Sequence, residues 1–333
     1  MDAQEQQYAL WGLVHGYVLD GRGGARALKA DEAMNVQLQP GESLWLHWDR
    51  SHPRAQHWLR SDSGLSEFAC NLLLEEGTRP RVVPLPGDEL LLFLRGVNLN
   101  PGAEPEDMVA VRIFADASRV ISLRLRPLRA TDALVDEWAK GSGPKNASEL
   151  VLYLAHYLTD KVDGLVVELS EQIDAEEEGI DNDERYTPDH GLMLQVRRRA
   201  AGLRRFLAPQ RDIHTHLVRH PQPWFDEDDI RYWNELSNRL TRYLEELELI
   251  RERVGLVLES EHRRMGERTN RTMYLLGIVT GFFLPLSFIT GLLGINVGGM
   301  PGAEAPHGFA YACALILLVA LFQWWLFRRL RWL

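Results

Sequence analysis

Hydrophobic positions change their spacing twice along this chain. Up to about residue 127 they come in short alternating or continuous runs, 9-ALWGLVHGYVLD-20, 44-LWLHW-48, 89-ELLLFLRGV-97, 108-MVAVRIFA-115 and 119-RVISLRL-125, which predict strands. Between some of them, 52-HPRAQHWLR-60 and 64-GLSEFACNLLLEE-76 predict helices. Residues 1–127 therefore read as an α/β domain. Its glycine cluster 20-DGRGGAR-26 lacks the GK[ST] ending of a phosphate loop, and no helical pattern follows it, so a hairpin turn is expected there.

Beyond residue 127 the period becomes helical: about 128–141, 146–180, 188–220, and a last helix from Asp226, a plausible cap after the Pro221-Gln-Pro223 break. No proline follows until Pro285, so one helix of about 70 residues, roughly 100 Å, is expected. Its soluble part carries Ile230, Trp233, Leu240, Leu244, Leu247, Val254 and Leu258 in a heptad-like seam broken at Ser237 and Arg251. Residues 128–270 thus read as a helical region and stalk, packed on the preceding helices and on copies of itself.

The second change is the loss of charge. Met273 to Ile295 and Gly308 to Phe327 contain no charged residue, and as helices they would extend roughly 34 and 30 Å, the hydrocarbon thickness of a bilayer. Two transmembrane helices are expected, at 271–295 and 308–327. Arg263, Arg264, Arg268 and Arg271 precede the first, Arg328, Arg329 and Arg331 follow the second, and the loop at 296–307 has no Lys or Arg. The positive-inside rule then places both ends in the cytoplasm, with a basic tail at 328–333. The start, MDAQEQQYAL, has no signal-peptide pattern.

Composition adds exclusions. Of the 333 residues 47 are acidic and 37 are Lys or Arg, a net charge of −10 that argues against nucleic acid as a partner. The two cysteines, Cys70 and Cys313, fall on opposite sides of the predicted membrane boundary, so a disulfide framework is not expected. Much of the acid lies in 168-ELSEQIDAEEEGIDNDE-184, either a solvated helix face or a reservoir for cations.

Counting toward the N-terminus from Gly294 by threes and fours gives Gly291, Ser287, Leu284, Thr280, Gly277, Met273 and Asn270, which collects most small and polar residues of the first span. Such a stripe serves either close helix packing or an aqueous path enclosed by several copies. In the second case Met273 and Leu284 are apolar constrictions, Thr280 and Ser287 hydroxyl rings. Pro285 is expected to free a carbonyl and kink the helix.

The tripeptide Gly294-Ile295-Asn296, at the outer end of the first of two C-terminal spans and after a long helix, resembles the Gly-x-Asn mark of the CorA superfamily of divalent-cation transporters. The magnesium branch usually has Met in the middle position; 294-GINVGGMPG-302 is more similar to the zinc-transporting ZntB branch. The resemblance covers the whole chain and implies an α+β membrane protein of the bacterial inner membrane: a homopentameric funnel with an axial pore lined by the first span. Asn296 would form a ring of amide oxygens at the mouth, engaging a largely hydrated cation, and Gly294 would let the backbone turn. The transported ion is expected to be Zn²⁺, with Cd²⁺, Ni²⁺ and Co²⁺ as further candidates. No cofactor and no covalent chemistry are implied.

The outer loop carries little charge, Glu304 and His307, fewer acids than magnesium members often have. Zinc prefers His and Cys ligands, and His216 and His220 in 214-HTHLVRH-220 share a helix face near Asp212, as ligands or as solvent-facing side chains. Glu259 continues the pore stripe into the stalk, as an axial metal site or an exposed charge. Arg328, Arg329 and Arg331 resemble the family's basic ring at the inner mouth and equally suit lipid phosphates. Rival readings are a magnesium or cobalt channel and a membrane-anchored cytoplasmic sensor.

Overall fold

The structure, a computed structural model, describes residues 11–183, 185–295 and 306–331. The chain divides into two compact units, Met1–Val257 and Leu258–Leu333.

In the first unit the described strands form a seven-stranded sheet of order β2-β1-β3-β7-β6-β5-β4. The strands are β1 (Leu13–Leu19), β2 (Ala25–Ala27), β3 (Ser43–Asp49), β4 (Arg81–Leu85), β5 (Glu89–Gly96), β6 (Val109–Ala115) and β7 (Arg119–Arg124). All pairs are antiparallel except β3 and β7, which run parallel with Leu44 opposite Arg119 and Asp49 opposite Arg124. The run 89-ELLLFLRG-96 has little alternation because both of its faces are covered: Leu90, Leu91, Leu92 and Leu94 are at most 1% exposed. The glycine cluster is the tip of the β1–β2 hairpin, as the sequence predicts, with Asp20 accepting from Arg22 and Gly24 backbone N–H groups.

One sheet face is covered by α1 (Ala30–Ala33), α2 (Pro53–Ser61) and α3 (Glu67–Leu74), which bury Trp58, Leu59, Cys70 and Leu73 against Trp48, Phe93 and Leu123. The other carries α4 (Arg129–Ala139) and α5 (Ala147–Asp160), whose Leu134, Trp138, Leu150 and Leu154 meet Trp45, Leu92, Val111 and Ile113. Gly96 permits this approach, since a Cβ there would stand 2.3 Å from Leu158 Cδ2. The outcome is a helix–sheet–helix sandwich.

The predicted helix at 146–180 is two helices, α5 and α6 (Asp163–Asn182). Buried Thr159 returns its hydroxyl to the Ala155 carbonyl at 2.9 Å, and Val162 N–H bonds three residues back, to Thr159, so the helix tightens and ends before Gly164. Strands β2 and β4 are absent from the sequence expectation: β2 has three residues, and β4 contains Pro84, a residue suited to a sheet edge, where β4 lies.

Two long helices follow, α7 (His190–Arg219) and α8 (Glu227–Leu293). Within the first unit the α8 seam is filled by this chain's own side chains: Trp233, Leu240, Leu247 and Val254 are fully buried. Its break at Ser237 is a hydrogen bond to Thr215 of α7 at 2.8 Å, and Arg251 pairs with Glu248 along α8. Acids of the 168–184 stretch are partly consumed here. Arg253 of α8 binds Asp174 and Glu177, each at 2.5 Å, Arg199 of α7 binds Glu168 at 2.7 Å, and buried Glu176 accepts from Tyr186 Oη and Asp189 N.

His214 of α7 is fully buried beside Trp233, ring centroids 5.2 Å apart, and burial lowers its pKa to about 3. An unfolded chain would protonate it near the ordinary 6.5. Its neutral form therefore stabilises the fold above pH 6.5, and that contribution is lost as pH falls from there toward 3. His214→Leu is expected to lose fewer degrees of thermal midpoint than wild type between pH 7.5 and pH 5 in calorimetry of the detergent-solubilised protein. Equal losses would contradict this assignment.

Candidate pore face and cation entrance

The second unit holds the membrane part of α8 and α9 (Gly308–Arg329), both long and apolar enough to cross a bilayer. Bilayer hydrocarbon offers no partner for a free backbone group, and α8 creates one. Pro285 has no N–H, so the carbonyl of Gly281, four residues earlier, lacks its helical donor. Gln323 of α9 supplies it, with Nε2 3.4 Å from that oxygen. Gly281 also admits Phe327, whose Cζ would lie 3.1 Å from a Cβ at that position. Gln323 and Phe327 are the buried residues of α9. The helical assignment of α8 continues unbroken through Pro285.

This contact decides which side of α8 stays open. Ile278, Gly281, Phe282, Leu286 and Ile289 are partly covered. Asn270, Met273, Gly277, Thr280, Leu284, Ser287 and Gly291 are all exposed, and at about 100° per residue they centre on roughly the opposite side of the helix. Met273 is 64% and Leu284 66% exposed. The stripe is therefore not the packing surface for α9, which removes the intrachain version of the close-packing reading. It does carry two small hydroxyls and two glycines on a surface with no charge.

At the outer end α8 stops at Leu293. Gly294 N–H bonds to the carbonyls of Thr290 and Gly291 at 3.0 and 3.2 Å, closing the last turn. Gly294 is a turn residue just past α8, with φ outside the left-handed region, and sits close to the Thr290 carbonyl, 3.2 Å from where a Cβ would be. Ile295 is exposed, and its N–H reaches the Leu292 carbonyl at 3.5 Å. Asn296 and Glu304 lie outside the described residues. His307 caps α9 through its carbonyl, 3.1 Å from Tyr311 N, and is exposed.

The remaining candidates fall apart in space or stay pairs. His216 and His220 do meet, ring centroids 4.9 Å apart, and burial followed by the His220 charge lowers the His216 pKa. Asp212 is engaged by Arg211 at 2.7 Å, and among the described residues no group of three His, Cys, Asp or Glu is placed to hold a metal. Glu259 is exposed. At the other end of α9, Arg328 lies over Trp324 and Arg329 over Trp325, at 5.5 and 5.3 Å, the pairing of basic and aromatic residues found at membrane–water boundaries. Arg331 follows the helix with φ 56°.

Sequence reading passes over Gln323 and Gly281. A signal was present: a lone amide in an otherwise apolar span, and a glycine four residues before the only proline of the other. A double-mutant cycle tests the bond. Pro285→Ala restores the donor for Gly281, so Gln323→Leu is expected to cost about 1 kcal/mol in the wild-type background and close to nothing in the Pro285→Ala background. Additive losses of thermal stability in detergent would contradict it.

Comparison with known proteins agrees with this architecture. The family profile described as CorA-like Mg2+ transporter protein matches residues 41–329. The divalent cation transporter CmaX of Pseudomonas aeruginosa is 65% identical over 322 residues, covering 97% of each chain. The zinc transport protein ZntB of Pectobacterium carotovorum subsp. carotovorum is 35% identical over 324 residues, covering 97% of this chain and 96% of the relative. The structure of the full-length CmaX protein matches with a TM-score of 0.87 over 97% of this chain and 98% of that one. The complete structure of the CorA magnesium transporter from Methanocaldococcus jannaschii shares the fold, with a TM-score of 0.76 at 18% identity over 96% and 99% of the two chains. The chain belongs to the CorA-like family of metal-ion transporters, and its two C-terminal helices are its membrane spans.

Proposed function

We propose that this protein moves divalent cations across the inner membrane through an axial pore built from several copies of α8, five by likeness to the family, with Zn²⁺ as its preferred cargo. The observation that carries the reading is the exposed stripe from Asn270 to Gly291, which lies away from α9 and holds Gly277, Thr280, Ser287 and Gly291 of an otherwise largely apolar span. Two spans cannot enclose a path, so the stripe has to meet copies of itself. Thr280 and Ser287 then offer hydroxyl oxygens to a hydrated ion, while Met273 and Leu284 narrow the path.

At the outer end Asn296 presents an amide oxygen from each copy. Such a ring hydrogen-bonds the water shell of a small divalent ion without stripping it, and small divalent ions such as Mg²⁺ shed water reluctantly. Ile295 in place of Met and the relative named as a zinc transport protein favour zinc. The family profile is described by magnesium, and the relative at 65% identity is named only for divalent cations, which keeps magnesium or cobalt as the second reading. No acid or histidine occurs from Met273 to Ile295 or from Gly308 to Phe327, so any coupled proton travels with the cargo or on groups outside the spans.

Zinc uptake into proteoliposomes, followed with an internal fluorescent indicator, is expected to fall about tenfold or more in Asn296→Ala. This corresponds to losing one ring of charge-oriented acceptors at the entrance. Uptake at the wild-type rate would overturn the assignment and favour an anchored sensor. In the wild type, equimolar magnesium is expected to leave zinc uptake nearly unchanged; strong competition would move the assignment to the magnesium or cobalt reading.

A further inference from the structure

The first unit has a cationic cavity unrelated to the spans. It measures about 220 Å³ and lies at the end of the sheet where the parallel strands β3 and β7 both finish. Arg50 follows β3, Arg124 ends β7, Arg112 comes from β6 and Arg95 from β5, and all four line the cavity. Arg126 lines it too, paired with Asp107, the carboxylate of the lining. Among the described residues none of the first four forms an ion pair with a carboxylate.

Their hydrogen bonds hold the guanidinium planes without cancelling charge. Arg50 donates to the carbonyls of Leu74 and Glu75 at 2.9 and 3.1 Å, Arg95 to those of Met108 and Thr78 at 2.8 Å each, and buried Arg112 to Leu73 at 2.5 Å. Carbonyls are neutral, and each guanidinium keeps further N–H donors. The Arg124 guanidinium, half-buried, makes no hydrogen bond among the described residues and has Asp132 and Asp49 in electrostatic range. Burial and the neighbouring Arg50 and Arg95 charges lower the Arg112 pKa to about 10. Asp107 acts on Arg95 and Glu75 on Arg112 through longer-range attraction alone; gathering four arginines without a direct carboxylate contact in a half-buried cavity is costly, and it occurs in a chain of net charge −10. Stability alone would favour apolar or paired side chains there.

We propose that this cavity binds a small soluble anion carrying phosphate groups. Guanidinium forks match phosphate oxygens two at a time, and the cavity falls below the roughly 300–1,000 Å³ typical of drug-sized ligands, which suits one or two phosphate groups. The Leu123 and Val109 walls keep the local dielectric low and strengthen each contact.

The test uses the full chain in detergent, in metal-free buffer, with thermal unfolding and titration calorimetry. Pyrophosphate and inorganic phosphate are expected to raise the midpoint saturably, by about 3 °C or more near saturation, beyond chloride at matched ionic strength. Arg124→Gln removes a charge but no hydrogen bond, so without anion it is expected to unfold at or above the wild-type temperature while binding pyrophosphate about tenfold more weakly. Arg231→Gln, an exposed position outside the cavity, is expected to respond as wild type does. A response no larger than that to chloride overturns the proposal, as does an undiminished response in Arg124→Gln. A response to short-chain phosphatidic acid with none to pyrophosphate also overturns it, by assigning the cavity to a lipid headgroup.

Discussion

The membrane unit depends on one carbonyl. Pro285 leaves the Gly281 oxygen without a helical donor, in a medium where water cannot supply one. Gln323 reaches that oxygen from α9, and the missing Cβ of Gly281 lets Phe327 close against the same spot. One amide thereby fixes which side of α8 the second span covers. The side left open is the one with Gly277, Thr280, Ser287 and Gly291, so a backbone requirement within a single chain leaves that surface uncovered by α9.

The soluble unit is governed by a different constraint, the disposal of charge. The acidic stretch of α6 reads in sequence as a solvated face or a cation reservoir, and the structure uses part of it to tie neighbouring helices together. Asp174 and Glu177 hold Arg253, and Glu168 holds Arg199, which ties α6 to α8 and α7. These carboxylates are engaged by arginine and are poorly placed to store cations. The arginine cavity at the ends of β3 and β7 is the converse: among the described residues four of its five arginines have no carboxylate in direct contact.

How much was legible depended on whether a residue's role is local. Continuous apolar strands such as 89-ELLLFLRG-96, the hairpin at 20-DGRGGAR-26, the long α8 and the two spans follow from periodicity and charge-free length, and appear where expected. What escaped has three causes: weak strand patterns in β2, with three residues, and β4, with its edge proline; a side chain bonding its own backbone at Thr159, which an apolar period does not register; and a partner distant in sequence, in the Gln323–Gly281 bond across 42 residues. The α8 seam was visible, and the preceding helices expected to pack on it do so within the first unit. Of the candidate site, the stripe could be traced by counting threes and fours, whereas its exposure required knowing where α9 packs.

The central claim is that the stripe on α8 faces water in the assembled protein. Cysteine accessibility reads this directly: in a Cys313→Ala background, Thr280→Cys on the stripe and Val279→Cys one residue away are placed in proteoliposomes, and zinc uptake is followed while a small charged thiol reagent is added. The reagent is expected to block uptake through Thr280→Cys and to leave Val279→Cys unaffected. Block at Val279→Cys with none at Thr280→Cys would contradict it.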